Sequence, residues 1–424
     1  MSGRRVVITG AGVITAIGGN REAYWAALAA GANGVRRISL FDCSTFPVQS
    51  AAEVHGLDGD SLGIDLELPK PVQIGLLTAE EAVHDAKLVP GTFDPTRAGT
   101  IFSTSHSGYP VDQIEDMYPL LERYATARTL LLDPTNSMVA KLRSSLYKGP
   151  ATTAVLAAKR YGLRGYTANA HTACATGNQA IGDAFLLVAR GDQDVMLAGS
   201  AAASVNPFGI ASFALINALS TTNDTPEKAS RPFDRRRNGF VLGEGGAVLV
   251  VEELAHALTR HAHIYAEIIG YGVSLDTFGI AEMDPEATGA TRSMERALTG
   301  AGIGAEDIDY INAHGTSTLL NDKTETLAIK NVFGARAYQI PISSTKSMIG
   351  HLRSGAGSTE LVAALLALER NVVHPTINYE FPDPECDLDY VPNVARRQHV
   401  RTLLSNSFGF GGQNSCVVVR RFEG

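Results

Sequence analysis

Residues 172–197 read TACATGNQAIGDAFLLVARGDQDVML, and this stretch decides the fold class. Apolar residues recur at helical spacing from Ala175 to Arg190, and Gly191 then interrupts the pattern before the apolar run Asp194–Leu197. A helix that leads into a short buried strand is typical of α/β proteins.

The same alternation of strand and helix patterns extends along the whole chain. Short β-branched runs bounded by glycine predict buried strands, and these are Arg5–Thr9, Thr100–Ser103, Asp194–Leu197, Ala247–Val251, Ile308–Ile311 and Val417–Val419. The predicted helices are Arg21–Ala30, Val72–Ala86, Ala175–Arg190, Ala290–Leu298 and Thr359–Leu368. We therefore expect βαβ units in which helices cover a sheet.

The composition is that of a compact α/β enzyme with two lobes or one pseudo-duplicated core. The chain has 424 residues, of which 45% are hydrophobic and 19% charged, and 42 are glycine. A glycine-rich passage, Gly239–Gly246, ends in a strand and a charged helix pattern, Glu252–Arg260. This change places a predicted boundary near residue 250, between an N-terminal part, 1–250, and a C-terminal part, 251–424.

Charge and cysteine content exclude several classes of partner and site. A net charge of −8 opposes broad contact with nucleic acid or an anionic membrane. No apolar run approaches the ~20 residues of a membrane helix, and the first residues lack the pattern of a signal peptide. The four cysteines lie far apart, which suggests neither a disulfide framework nor a metal site. We expect a soluble, cytoplasmic protein without a metal.

Cys174 is the first candidate for chemistry, because it lies just ahead of a predicted helix. Free amide hydrogens and the helix dipole favour the thiolate there. Its neighbours Ala173, Ala175 and Gly177 are small and leave room for a substrate. The alternative is a buried structural cysteine, which is common.

Two histidines lie in glycine-bounded loops. His314 follows the predicted strand Ile308–Ile311, at the sheet edge where α/β proteins usually bind ligands. His351 lies in the run Lys346–Gly357, which enters a helix. Either histidine alone would more commonly be structural. Together with Cys174 they supply a nucleophile for an acyl group and neutral donors for an enolate oxygen, which is what a decarboxylative condensation requires.

The C-terminal run Asn406–Gly412 is rich in small residues around Phe408 and Phe410. It is either a tight turn before the last strand, Ser415–Arg420, or a backbone amide for an oxyanion hole with an aromatic gate. Glycine permits the close backbone approach that both functional roles need.

Three other motifs do not carry chemistry. Gly10-Ala-Gly12 follows a predicted strand, but Thr15 stands where a dinucleotide-binding motif needs its third glycine. Gly243–Gly246 lacks the lysine and hydroxyl of a phosphate loop and is interpreted as a close-packed turn. His261-Ala-His263 has no further ligand at metal-binding spacing and is expected to be exposed.

Taken together, these motifs resemble those of the β-ketoacyl-acyl-carrier-protein synthase II family, part of the thiolase-like condensing enzymes. The resemblance extends from Val6 to Arg421 and is strongest in five runs: Thr172–Gly177, Ala229–Asp234, Asn312–Thr318, Ser344–His351 and Asn406–Gly412. It implies a five-layered αβαβα sandwich of two related halves, normally a dimer. The implied reaction joins a cysteine-bound acyl chain to malonyl carrier protein by decarboxylative Claisen condensation.

The resemblance also implies a role for each site residue. Cys174 is the acylated nucleophile, and His314 and His351 complete a Cys-His-His triad. Lys346 and Glu360 support the orientation and charge of the histidines. Phe410 is the gating phenylalanine, whose amide joins that of Cys174 in an oxyanion hole.

The implied substrates are carried on the phosphopantetheine of an acyl carrier protein, so no resident cofactor is expected. The partners are that carrier protein and a second subunit, in a homodimer or in a heterodimer with a chain-length-factor-like chain.

The sequence departs from the family pattern in two places. Asp65–Pro71 stands where a basic, aromatic-containing stretch usually receives the acidic carrier. The pattern also drifts over Ser103–Lys148, with polar Ser105, His106 and Tyr109 where the acyl pocket is usually formed. These departures favour a specialised acyl chain, polyketide or polyunsaturated, over general lipid elongation.

Other interpretations remain open beside fatty-acid elongation. A ketosynthase subunit of a type II polyketide synthase would share every catalytic motif. A non-catalytic chain-length factor is disfavoured because Cys174 is present. The paired histidine motifs disfavour a Cys-His hydrolase or a degradative thiolase. Acyl chain length, pathway and cognate carrier stay undetermined.

Overall fold

The computed structural model describes residues 3–59, 62–65, 68–105, 151–279 and 282–424. Its α-helices are α1 Arg21–Ala29, α2 Lys70–Asp85, α3 Thr152–Tyr161, α4 Thr176–Ala189, α5 Pro207–Leu215, α6 Leu254–Thr259, α7 Thr288–Ala301, α8 Leu319–Phe333, α9 Lys346–Ile349 and α10 Ala356–Arg370. The strands are β1 Val6–Thr15, β2 Arg36–Arg37, β3 Ser50–Ala52, β4 Ala98–Ser105, β5 Thr167–Ala168, β6 Val195–Ala202, β7 Leu242–Gly243, β8 Gly245–Glu253, β9 Ala266–Leu275, β10 Tyr310–Asn312, β11 Ile342–Ser343, β12 Val372–Val373, β13 Arg396–Arg397, β14 Thr402–Gly409 and β15 Gln413–Arg421.

Ten of these strands share one hydrogen-bonded order, β11-β10-β14-β15-β9-β1-β8-β6-β4-β5. Its two halves meet at the antiparallel pairing of β1 with β9, which covers only Val6–Ile8 and Ala266–Ile268. The short junction leaves each half as a five-stranded sheet with its own helices.

The two five-stranded sheets have the same topology. In the N-terminal half, β5, β4 and β6 are parallel, and β8 and β1 follow antiparallel. In the C-terminal half, β11, β10 and β14 are parallel, and β15 and β9 follow antiparallel. Counted outward from the junction, the order is β1-β8-β6-β4-β5 in the N-terminal half and β9-β15-β14-β10-β11 in the C-terminal half. If the five strands of each half are numbered along the chain, both orders are 1-5-4-2-3. This repetition confirms the predicted pair of related halves.

Helices form the remaining layers. In the middle, α4 packs against α10, whose residues Ala356–Leu368 are all buried. A helix that is buried on every face has protein on all sides, which places α10 in the middle of the layers. Helices α2 and α3 cover the outer face of the N-terminal sheet, while α7 and α8 cover that of the C-terminal sheet. The order of layers is αβαβα, as the resemblance implied.

Glycine lets the outer helices approach the equivalent strands β1 and β9. A β-carbon on Gly12 would lie 2.1 Å from the carbonyl oxygen of Thr78 in α2. A β-carbon on Gly272 would lie 2.1 Å from the carbonyl oxygen of Ser293 in α7. Both distances are far below van der Waals contact, so each helix rests directly on a strand backbone.

Two interpretations of glycine motifs were wrong in detail. Gly10-Ala-Gly12 does not follow a strand but lies inside β1, where it accommodates α2. Gly243–Gly246 is not a turn but joins the extended strands β7 and β8. A β-carbon on Gly245 would lie 2.5 Å from the carbonyl oxygen of Ile14, so this passage also serves close backbone packing. His261 and His263 are exposed, as expected.

Among the described residues, no helix combines the length and apolarity needed to cross a bilayer. The domain boundary near residue 250 stays a prediction, although strands of the N-terminal half end with β8 and those of the C-terminal half begin with β9.

Replacing Gly12 with Ala should destabilise the protein, because the new methyl group meets a backbone carbonyl that cannot rotate away. Overpacking of this kind typically costs about 1–3 kcal/mol. Gly19→Ala is the matched control, since a β-carbon there has no neighbour within 4 Å. Thermal unfolding at one scan rate should give a lower midpoint for Gly12→Ala than for Gly19→Ala. Equal midpoints would show that α2 adjusts without cost.

Candidate active site

Cys174 lies in a short 3-10 turn, Ala173–Ala175, that runs directly into α4. The turn begins at Ala173 with φ of 48°, in the left-handed region that non-glycine residues rarely adopt. The Thr176 hydroxyl donates to the Ala173 carbonyl at 2.7 Å and accepts from the Thr172 amide at 2.9 Å. These bonds hold the sulfur at the start of α4, which is the position that the sequence predicted.

The ionisation of this thiol differs from the expectation drawn from its helix position. Burial raises the pKa of Cys174, while the charges of Arg353 and Lys346 and a backbone hydrogen bond from Phe410 oppose it. Desolvation outweighs these stabilising groups, so the thiol form is favoured in the free protein.

His314 lies in the loop that leaves the carboxyl end of β10, and carboxylates of α8 hold that loop. Glu325 accepts from the backbone N–H groups of His314 at 2.8 Å and Gly315 at 2.7 Å. Asp322 accepts from the backbone N–H groups of Thr316 at 2.9 Å and Ser317 at 3.2 Å. Because each loop amide donates to a buried carboxyl oxygen of α8, the position of His314 is fixed.

His351 lies between α9 and α10 and is fixed by backbone pairing with β7 and the residue before it. Its N–H donates to the Val241 carbonyl at 2.7 Å, and its carbonyl accepts from Gly243 at 3.0 Å. The ring stands edge to face with Phe240, with centroids 5.1 Å apart. The rings of His314 and His351 are 5.4 Å apart, so the two motifs converge.

Lys346 and Glu360 form a buried ion pair behind the histidines. Lys346 Nζ is 2.5 Å from Glu360 Oε1, and both side chains are at most 1% exposed. The same ammonium donates to the carbonyl oxygen of His314 at 2.6 Å. Burial raises the pKa of Glu360, and the neighbouring ammonium opposes this. The pair therefore places a positive charge next to His314.

Both histidines are held neutral. Burial lowers the pKa of His314 and of His351 well below the usual range, and the charge of Lys346 adds to the effect. Lys346 Nζ is 3.3 Å from Nδ1 of His314, and an ammonium can only donate. The Arg353 backbone N–H donates to Nδ1 of His351 at 3.3 Å. With each Nδ1 accepting, the ring proton resides on Nε2, and each imidazole is a neutral donor.

Cys174, His314 and His351 line one cavity of about 290 Å³. Its wall also contains Phe240 and Thr316, while Leu319, Leu320 and Ile216 are more than half exposed and mark its opening. A long, narrow substrate arm can thus reach the sulfur from solvent. Within the described ranges, no group of three or more His, Cys, Asp or Glu side chains is arranged to hold a metal ion.

Residues Asn406–Gly409 of this run belong to β14, and Phe410, Gly411 and Gly412 form the turn into β15. The expected turn before the last strand is therefore confirmed only for the last three residues of the run. A β-carbon on Gly409 would lie 3.1 Å from the Cys174 nitrogen, which shows how closely the two backbones approach. Phe410 lines the cavity and is 37% exposed. Its roles as gate and amide donor stay predictions.

Sequence reasoning did not single out Glu325 or Arg353. Glu325 is fully buried on α8 and also accepts from Asn406 Nδ2 at 3.1 Å, so it joins two of the motifs. Asp322 and Glu325 are three residues apart and therefore lie on one helix face, and this spacing is the sequence pattern that could have pointed to them. Arg353 carried no local signal, because its place depends on packing between the halves.

Of the two stretches that depart from the family pattern, Asp65–Pro71 is partly described by the structure and Ser103–Lys148 is mostly outside the described residues. Lys70, the one basic residue of Asp65–Pro71, forms an ion pair with the buried carboxylate of Glu244. His106 and Tyr109 lie outside the described residues, as does most of Ser103–Lys148.

Glu325→Gln should change how stability depends on pH. Burial raises the pKa of Glu325 from 4.5 to about 7. Between these values the folded state holds a proton that the unfolded state has released, so unfolding free energy falls as pH rises, by up to about 1.4 kcal/mol per unit. The variant lacks this slope. Its unfolding free energy relative to wild type, from denaturant titrations, should therefore rise between pH 5 and 7. A constant difference would contradict the raised pKa.

Comparison with known proteins places the chain in one family. The profiles described as "Beta-ketoacyl synthase, N-terminal domain" and "Beta-ketoacyl synthase, C-terminal domain" match residues 3–257 and 265–380. The chain is 44% identical to 3-oxoacyl-[acyl-carrier-protein] synthase 2 of Coxiella burnetii, with 99% of both chains covered. It is 42% identical to putative polyketide beta-ketoacyl synthase 1 of Streptomyces halstedii, with 98% of both covered.

A solved structure agrees with this placement. A type II polyketide synthase acyl-carrier protein in complex with its ketosynthase, bound to the hexaketide, matches with a TM-score of 0.86 at 34% identity. The match covers 99% of this chain and 100% of that chain. The chain therefore belongs to the β-ketoacyl synthase family of condensing acyltransferases.

Proposed function

We propose that Cys174 carries the growing acyl chain and that His314 and His351 stabilise the enolate formed from a malonyl thioester. The observation that carries this proposal is the cavity in which one thiol meets two neutral imidazole donors. A cationic imidazole is not required, because a neutral N–H already stabilises developing negative charge in a desolvated site.

The first half-reaction transfers the acyl group. The Cys174 sulfur attacks the thioester carbonyl, a new carbon–sulfur bond forms, and the donor thiol leaves with the proton. The amides of Cys174 and Phe410 donate to the tetrahedral oxyanion. Because burial raises the pKa of Cys174, the thiolate forms as substrate binds, with the positive charges of Arg353 and Lys346 supporting it.

The second half-reaction forms the carbon–carbon bond. The malonyl carboxylate leaves as carbon dioxide, and its bonding electrons pass into an enolate whose oxygen accepts from His314 and His351. The enolate carbon then attacks the acyl carbonyl on Cys174, and the sulfur departs to leave a 3-oxoacyl thioester. Lys346 and Glu360 act as positioning residues for His314.

The substrates are proposed to arrive on the phosphopantetheine arm of an acyl carrier protein, so the enzyme needs no resident cofactor. The cavity that extends from Cys174 to the exposed Leu319, Leu320 and Ile216 supports this, as does the ketosynthase neighbour solved with its carrier protein. We further place the enzyme in the cytoplasm as a homodimer, or as a heterodimer with a chain-length-factor-like chain. Its four cysteines are free and buried, which suits a reducing compartment.

The pathway has two candidates, fatty-acid and polyketide elongation, and relatives of both kinds are similar to this chain. One observation favours a specialised chain. Lys70 is paired with the buried Glu244, so the stretch Asp65–Pro71 offers an acidic carrier protein little positive charge. The carrier that this enzyme accepts thus differs from that of a general elongation synthase.

Replacing Cys174 with Ala should abolish self-acylation, because no other thiol lines the described part of the cavity. Intact mass spectrometry after incubation with acyl carrier thioesters measures this directly. Cys43→Ala is the matched control, since Cys43 is a free buried thiol in a separate hydrophobic cluster. A folded Cys174→Ala protein that still gained the acyl mass would remove Cys174 from the mechanism.

Replacing His314 or His351 with Ala should retain acylation of Cys174 but lose carbon dioxide release from malonyl carrier protein. Loss of one such donor typically lowers a rate ~10²–10³-fold. Release of labelled carbon dioxide is the measurement, and the exposed His263→Ala is the control. Wild-type decarboxylation in both variants would contradict the proposed donors.

A further inference from the structure

Two exposed arginines stand beside the opening of the cavity. Arg235 and Arg236 are both exposed, and Asn238, two residues beyond Arg236, lines the cavity wall. Two residues of chain span at most about 7 Å. A protein that inserts a substrate arm into the cavity would therefore meet these two cations at the edge of the opening.

The segment that carries the two arginines is fixed on both sides. The buried Arg237 donates to the carbonyl oxygen of Leu319, a residue of the cavity opening, at 3.3 Å. On the other side, the backbone N–H of Arg235 donates to the Phe381 carbonyl at 2.8 Å. The guanidinium carbon of Arg236 lies 3.4 Å from the centre of the Phe381 ring. These contacts hold both arginines in place relative to the start of α8.

The positive charge of these two side chains is not neutralised by ion pairs within the chain. The acidic side chains nearby are already paired, Glu380 with Lys228 and Arg231, Asp383 with Arg237, and Glu385 with Lys323. Asp383 also lies near Arg235 but bonds to Arg237 instead. Among the residues that the structure describes, the side chains of Arg235 and Arg236 make no ion pair and no hydrogen bond. Both guanidinium groups are thus free to bind carboxylates of a partner.

Large aliphatic side chains surround the same opening. Leu319 and Leu320, the first residues of α8, are 59% and 58% exposed. Leu215, which ends α5, and the following Ile216 are 83% and 51% exposed. Exposed apolar side chains grouped in this way are typical of a surface that binds another protein. A small anion could pair with the arginines but would leave the aliphatic side chains in water.

We propose that the two arginines and these four aliphatic residues form the docking surface for the acyl carrier protein, which contributes carboxylates and apolar side chains next to its phosphopantetheine. The inference rests on the proposed delivery of substrates by a carrier and names the face on which the carrier binds. Lys70 in the stretch Asp65–Pro71 is paired with Glu244. Arg235 and Arg236 therefore supply the positive charge from a different position.

The test measures acylation of Cys174 by one acyl group on three donors. Hexanoyl pantetheine has neither phosphate nor protein, hexanoyl phosphopantetheine adds the phosphate, and hexanoyl acyl carrier protein adds the protein surface. Carriers from a fatty-acid and a type II polyketide system are compared, and the faster one is used. Intact mass gives the second-order rate constant for each donor with the full-length enzyme. The ratio of the carrier constant to the phosphopantetheine constant isolates the contribution of the protein surface.

Arg235→Glu and Arg236→Glu should each lower this ratio about three- to tenfold, because repulsion replaces an exposed attraction. Arg236→Lys should retain most of the ratio, since the charge is kept. Added salt should lower the wild-type ratio and narrow its difference from the two Glu variants, because exposed charges are screened.

Arg397→Glu is the matched control. Arg397 is exposed on β13, which pairs with β12 just past the C-terminal end of α10. Helix α10 has 15 residues and thus extends roughly 22 Å from its start, which packs against the start of α4. A change of charge at Arg397 should leave the ratio unchanged.

Two outcomes would overturn the proposal. One is an unchanged rate from the carrier in both Arg235→Glu and Arg236→Glu. The other is an equal loss of rate from hexanoyl phosphopantetheine, since the arginines would then bind the phosphate and not the carrier surface. A wild type that gains no acyl mass from any donor would instead contradict the acylation of Cys174. Calorimetric titration with the carrier then decides the docking, and equal affinities of wild type and Arg236→Glu would refute it.

Discussion

Asp322 and Glu325 accept backbone hydrogen bonds from every residue of the His314–Ser317 loop. These carboxylates are fully buried, and without such donors their burial would be costly. Asp322 also accepts from the Phe233 amide, and Glu325 from the side chain of Asn406. One helix face thus ties three separate segments to α8, and this anchor fixes where His314 stands relative to the rest of the site.

The buried charges around the histidines balance in a way that keeps the imidazoles neutral. Lys346 and Glu360 cancel each other in charge, yet the ammonium is the group that contacts His314. Protonation of His314 would place a second positive charge beside the ammonium in a desolvated site. Burial raises the pKa of the Cys174 thiol and lowers the pKa of both imidazoles, because it disfavours the charged form of each group. Both effects suit a mechanism in which charge appears only when substrate is bound.

Local patterns in the sequence identified the candidate residues but did not predict their pKa shifts or their contacts with distant segments. Cys174 could be placed at a helix start because its small neighbours and the helix period are encoded within a few residues. The raised pKa of its thiol could not be predicted from those residues, because burial of the sulfur depends on the whole fold. Glu325 and Arg353 escaped notice for the same reason, because each acts across segments far apart in the chain. Gly12 was predicted to follow a strand, but it lies inside β1. The sequence does not distinguish a glycine that lets a helix pack against a strand from a glycine that forms a turn.

The 3-10 turns Ala173–Ala175 and Arg353–Gly355 lead into α4 and α10 at equivalent places in the two halves, and this has a consequence for how such a site can change. In a symmetric dimer built from two copies of one half, every substitution would appear on both sides of the axis. Here both copies belong to a single polypeptide, so the residue before each helix can vary independently. One turn holds Ala173 and Cys174, while the other holds Arg353 and Ser354. The fold can therefore keep Cys174 fixed in one turn while the side chains of the other turn change, so that two copies of one backbone geometry can take different roles.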